Sequence, residues 1–333
     1  MDDVSRIADA VLYEGYLLWP YRKSAIKNQR RWTFGGVYPE RHSAVHPDDP
    51  AVMRTECLLE GADGCRVDVR VRFLHVVERE VARSSGNGLE PVDELVVDGE
   101  SHIGWDEAVE REITAAELDP AALRHPIRIR IDVPAGSGVE ELRDASGAPA
   151  GAFVRSWREL EGLVEIGAVP AGPGLYRLTV RIFNLTPFEG TREDALRQAF
   201  CSTHTILQSR GGSFVSLTEP PEELRAEAER CRNDGTWPVL VGSRGERHTM
   251  LSSPIILPDH PEIAPESPGD LFDATEIDQL LTLSILSMTE TEREQMRAAD
   301  PKARAILERT EALTEDELFR MHGAIREMGM RRR

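Results

Sequence analysis

Cys65-Arg66-Val67-Asp68-Val69-Arg70-Val71-Arg72-Phe73 decides how this chain is read. Apolar and charged residues alternate with a period of two, the pattern of a strand with one buried face and one solvated face. Two further stretches repeat it. Ile127, Ile129, Ile131 and Val133 alternate with Arg128, Arg130 and Asp132, and Tyr176, Leu178, Val180 and Ile182 alternate with Arg177, Thr179 and Arg181. Clean alternation favours antiparallel sheets over the continuous apolar runs of parallel ones. Weaker strand signals lie at 163–169, 202–208, 213–217, 238–241 and 248–257. Between them stand turn signals at Ser85-Gly86-Asn87-Gly88, Ala135-Gly136-Ser137-Gly138, Ala171-Gly172-Pro173-Gly174 and Gly242-Ser243-Arg244-Gly245. Short helices are expected at 106–116, 192–199 and 220–231. There is no regular alternation of strand and helix, so a doubly wound sheet does not fit.

Outward from this body the character changes. Val4, Ile7, Ala8, Val11, Leu12 and Leu18 recur at helical spacing and predict a helix over 4–18, stopped by Pro20. Residues 39–50 carry three prolines and read as a loop. After Pro258 come further prolines at 261, 265 and 268, then helix starts: Asp273 with Glu276, Asp300 before Pro301, and Thr314 with Glu317. The expected fold is α+β. An N-terminal helix and basic aromatic segment (1–50) precede an antiparallel β-rich body, sandwich or barrel-like with short helical insertions (51–257). A proline-rich strap and helical tail follow (258–333).

The 333 residues are 40% apolar, enough for a core, and carry a formal net charge of −18. Such an acid excess argues against nucleic acid as partner. Lysine occurs only at 23, 27 and 302, so arginine supplies nearly all the cations, a bias that fits a high-GC bacterial genome. No apolar run reaches the ~20 residues of a membrane span, and the acidic start Met1-Asp2-Asp3 is unlike a signal peptide. A cytoplasmic protein with no membrane contact is expected. Cys57, Cys65, Cys201 and Cys231 are too few for a disulfide framework and are expected as reduced thiols.

Charge is unevenly placed. Residues 20–32 hold five cations and no acid, and four of the five tyrosines lie between 13 and 38. Cations interleaved with aromatics suit partner contacts. Tyr21, Arg22, Lys23, Lys27, Arg30, Arg31 and Trp32 are therefore the candidate partner-binding residues. Their bland reading is pairing with the chain's own carboxylates. From Asp259 to Asp300 eleven carboxylates face two arginines, which suits docking to a basic surface or simply solvated helix faces. His42 and His46 with Cys57 and Cys65 carry zinc-ligand residue types, but the spacing fits no closed zinc module. Cys201 and His204, three apart on a strand, face opposite sides. Phosphate-binding, nucleophile-elbow and metalloprotease motifs are absent from the sequence. No cofactor and no catalytic residue are expected.

Val11-Leu12-Tyr13-Glu14-Gly15-Tyr16-Leu17-Leu18-Trp19-Pro20-Tyr21-Arg22, continuing to Trp32-Thr33-Phe34-Gly35, together with Ser253-Pro254-Ile255-Ile256-Leu257 and Ile263 through Asp273, resembles an uncharacterised actinobacterial protein family associated with [NiFe]-hydrogenase gene clusters. The resemblance implies an accessory or maturation setting, with a hydrogenase subunit or maturation factor as protein partner, and assigns no catalytic residue. The expected function is a non-catalytic accessory or interaction protein. The alternatives are an enzyme acting on an anionic small molecule through a site in the β-rich body, and a scaffold closed by its own acidic tail.

Overall fold

The computed structural model describes residues 35–261 apart from Asn87, together with Leu12, Glu290, Arg293, Arg297, Arg304, Leu307 and Glu308. Its spine is one 34-residue strand, β1 (Val52–Ser85), which contains the alternating stretch read above. The others follow as β2 (Gly88–Val92), β3 (Glu94–Val97), β4 (Glu100–Ile103), β5 (Trp105–Leu118), β6 (Ile127–Val133), β7 (Gly136–Arg143), β8 (Pro149–Trp157), β9 (Leu160–Gly172), β10 (Leu175–Asn184), β11 (Cys201–Phe214), β12 (Trp237–Leu240) and β13 (Thr249–Ser253). Every pairing between these strands is antiparallel.

β1 changes partners along its length. Val52–Glu60 pairs with β10, and β10 continues outward to β9 and β6. At residues 62–65 the strand bulges: Gly61 lies opposite Gly212, but the next pair is Arg66 with Arg210. Gly64 and Gly211 take positive φ (+88° and +73°) at this bulge, a conformation that disfavours any residue with a Cβ. Beyond it, β1 pairs with β11 on one edge and β5 on the other, then with β8 and β2 at its far end.

The alternating residues behave as read. Cys65, Val67, Val69, Val71 and Phe73 point into the main core, where they meet Leu178, Val180 and Ile182 of β10 and Val164 and Ile166 of β9. Phe73 and Phe200 stack at 4.6 Å between centroids. Residues 71–77 are buried without interruption, because Leu74 and Val76 pack on the opposite face with Leu12, Tyr38 and Phe188. Leu12 is the one described residue of the predicted N-terminal helix; it is helical and fully buried.

The described chain is mostly antiparallel sheet with few helices, as expected. Residues 106–116, expected as a helix, are instead β5. Ala and Glu favour helix locally, but Trp105–Leu118 pairs with β1 almost throughout, and long-range pairing outweighs local propensity. The expected helix at 192–199 is limited to Arg192–Leu196, capped by Thr191 and Asp194. That at 220–231 contains a 3-10 turn (Glu222–Leu224) and a helical turn (Arg225–Ala228). The loop at 39–50 contains the short helix Glu40–Ser43. Gly136 and Gly138, read as a turn, begin β7. The six described tail positions, Glu290, Arg293, Arg297, Arg304, Leu307 and Glu308, are helical; most of the tail lies outside the described residues.

Candidate interaction surface

The far end of β1 (residues 78–85) leaves the main core and builds an arm with β2, the β3–β4 hairpin, the start of β5, β7 and β8. The hairpin turns on Asp98-Gly99, both at positive φ, the geometry of a two-residue turn that matches strand twist. A small core of Val81, Leu95 and Val97, flanked by Leu142 and Phe153, holds the arm together.

Arg79 is almost entirely buried here. It donates to Glu107 at 2.8 Å and to the Ile103 carbonyl at 3.2 Å, and its guanidinium lies 4.4 Å from the Phe153 ring centre. Burial lowers its pKa, and the Glu107 carboxylate works against that shift. Glu107 also accepts from Arg155 at 2.6 Å, and Arg155 donates onward to Glu140 at 2.6 Å. Arg197 reaches Glu78 at 3.1 Å, Arg72 reaches Glu110 at 2.6 Å, and Arg304 of the tail reaches Glu100 at 2.6 Å.

These pairs leave an excess. Residues 78–118 contain twelve carboxylates and three arginines, a net −9, half of the whole chain's −18. Between β1, the β2–β3 connection and the β4–β5 connection lies a cleft of about 640 Å³. Glu80 and Asp93 line it, exposed and without ion pairs among the described residues, together with Arg79 and the apolar Pro91 and Ile103. Carboxylates beside apolar walls suit a lysine or arginine side chain, which carries a charged tip on an apolar stem. Sequence reading passed over this concentration because its acids alternate with apolar residues instead of forming a run; a net-charge count over a 40-residue window finds it.

The other candidates fare differently. Tyr21, Arg22, Lys23, Lys27, Arg30, Arg31 and Trp32 lie outside the described residues. His42 does not converge with Cys57 or Cys65. Its Nε2 pairs with Asp49 at 2.8 Å, and Arg192 grips the same carboxylate with two bonds of 3.1 Å. Burial raises the Asp49 pKa, but the Arg192 and His42 hydrogen bonds outweigh it and hold the carboxyl below its usual range. Tyr38 stacks on the His42 ring at 5.3 Å, so this cluster clasps the 38–49 segment to Arg192. Among the described residues no three His, Cys, Asp or Glu side chains are placed to hold a metal ion.

All four cysteines are free. Burial pushes the Cys201 thiol up to about 12 and Cys231 up to about 11, and raises Cys57 further. Cys201 packs beside Leu74 and Val76, while His204 bonds through Nδ1 to the Ser202 carbonyl at 3.2 Å, so the two do not meet. His204 lines neither the arm cleft nor a second cleft of about 490 Å³ at the β1 bulge, which is walled by Gly61, Gly211, Gly212 and Arg247. No helix among the described residues is long and apolar enough to cross a membrane.

No family model matches the chain, and no curated protein matches it. A solved structure that aligns with it is the secretin InvG of the Salmonella SPI-1 type III secretion injectisome, residues 176 to the end, in the open gate state. The alignment has 8% identity and a TM-score of 0.09, and it covers 64% of this chain and 60% of that one. The chain thus spans less than two thirds of that InvG chain, and a likeness of this size carries no argument about fold or function.

Proposed function

We propose that this chain is a non-catalytic interaction protein whose acidic arm docks a cationic segment of a partner protein. The observation that carries the reading is Glu80 and Asp93, without ion pairs among the described residues, on a cleft they share with Pro91 and Ile103, in a 41-residue stretch holding half of the net charge. The raised thiols support a binding role over nucleophilic chemistry in the body, because a protonated thiol is a poor nucleophile. The resemblance of the terminal stretches proposes the setting, a cytoplasmic hydrogenase subunit or maturation factor. Residues 21–32 are proposed as a second contact surface toward that partner.

The test uses a fluorescent peptide of alternating lysine and leucine, titrated into the full chain by anisotropy. Glu80→Gln with Asp93→Gln should weaken binding at least about tenfold, since a desolvated charge pair contributes more than ~1.4 kcal/mol. A lysine-acetylated peptide should not bind. Equal affinity for both proteins, or for both peptides, would refute the reading.

A further inference from the structure

The main core is sealed except along two strands. Its half-buried apolar members are Ile113 and Leu118 of β5 and Ile127, Ile129 and Val133 of β6. One strand further in, Val164 and Ile166 of β9 are only 1% exposed. β6 pairs with β9 on one side, and among the described residues no strand pairs with its other side. Sheet edges invite pairing unless they are blocked. Of the other outer strands, β2 and β12 carry Pro91 and Pro238, which lack the N–H a ladder needs, β7 opens on Gly136 and Gly138, and β5, paired with β1 alone, carries five carboxylates to one arginine, so a second copy would repel it. β6 carries neither proline nor glycine, and its charges all lie on the outer face, where they do not obstruct the edge. Arg128 is engaged by Glu165, but Arg130 and Asp132 are exposed and make no ion pair among the described residues.

We propose that β6 is a self-association edge, on which two copies of this chain pair β6 to β6, antiparallel, about a twofold axis at Ile131. Charge chooses the register. An axis at Arg130 sets two arginines directly opposite each other at its centre and brings to Asp132 only Arg128, which Glu165 already engages, and an axis at Ile129 sets Arg128 opposite Arg130 twice. Like charges directly opposite destabilise a strand pair. An axis at Ile131 sets Arg130 opposite Asp132 twice and Ile129 opposite Val133 twice. The sheet then continues across the axis, covering the half-buried apolar row of β6 on both copies. The contact is isologous and closes at two copies. Its short ladder places it at the small end of specific interfaces, so dissociation falls in the micromolar range.

Sedimentation equilibrium of the full chain across micromolar concentrations tests this. The 37.2 kDa chain should shift toward twice that mass as concentration rises. Arg130→Asp sets acid against acid and Asp132→Arg sets base against base, so each variant alone should weaken dimerisation at least about tenfold. An equimolar mixture of the two variants should restore it, because each then meets its opposite charge. Both side chains are exposed, so circular dichroism should show the native fold in each variant. A wild-type monomer at every concentration would overturn the proposal, as would dimerisation indifferent to either reversal or a mixture that stays monomeric.

Discussion

Lowering the pH from 8 to 5 should destabilise this protein through two histidines. His204 is fully buried; burial, then Arg72 and Arg70 nearby, push its pKa down to about 3, against a Ser202 carbonyl bond that raises it. His75, also buried, is pushed down to about 4 by burial and by Arg111. Neither Nε2 has a hydrogen-bond partner among the described residues. At pH 8 both are neutral in the folded and unfolded chain and contribute nothing to the difference. As pH falls below ~6.5, the unfolded chain takes up a proton at each site and the folded chain does not, so stability declines. At pH 5 the unfolded chain has gained about 1.5 pH units per histidine, or about 2 kcal/mol each and about 4 kcal/mol together. The carboxyls of Glu56 and Glu165, held low in the fold, lose their contributions only below ~4.5, so pH 5 isolates the histidines, including a smaller share from His102, which burial also lowers. Urea unfolding of wild type and His204→Gln at both pH values is the assay. The variant's own packing cost cancels when each protein is compared with itself. The wild-type loss should exceed the variant's by about 2 kcal/mol. Equal losses would refute the reasoning.

Arg79→Met should destabilise the arm by about 3 kcal/mol in urea unfolding, because it strips a buried ion pair of its cation, with Arg155 still neutralising Glu107 in part. Gly151→Ala should cost about 1–3 kcal/mol, since a Cβ there collides with the Ala82 carbonyl and Leu95; hydrogen exchange should rise first at residues 78–83. Phe200→Ala should cost about 3–5 kcal/mol in thermal or urea unfolding, because it empties the space against Phe73 in the main core.

How far the fold could be read from sequence depended on burial. Residues 65–73 and 176–182 each bury one face, and that one-sidedness wrote a period of two into the sequence. β7 was not legible: six of its eight residues are exposed, so no apolar period marks it. β5 misled for a different reason. Its Ala and Glu favour helix locally, and only its partner β1, some 40 residues earlier, makes it a strand. Asp98-Gly99 was a readable hairpin signal that the weak alternation around it concealed. At the site, Glu80 and Asp93 are thirteen positions apart and carry no motif. The return of the chain through β2 sets them on one cleft, which a linear scan does not represent.

The central claim is tested most directly by isotope-detected NMR of the Ile103 methyl groups and the backbone amides of residues 80 and 93 while the lysine–leucine peptide is added. Shifts that are concentrated on these probes, saturate, and vanish in Glu80→Gln/Asp93→Gln are the predicted result. Unmoved cleft probes under a peptide that still binds would contradict the account.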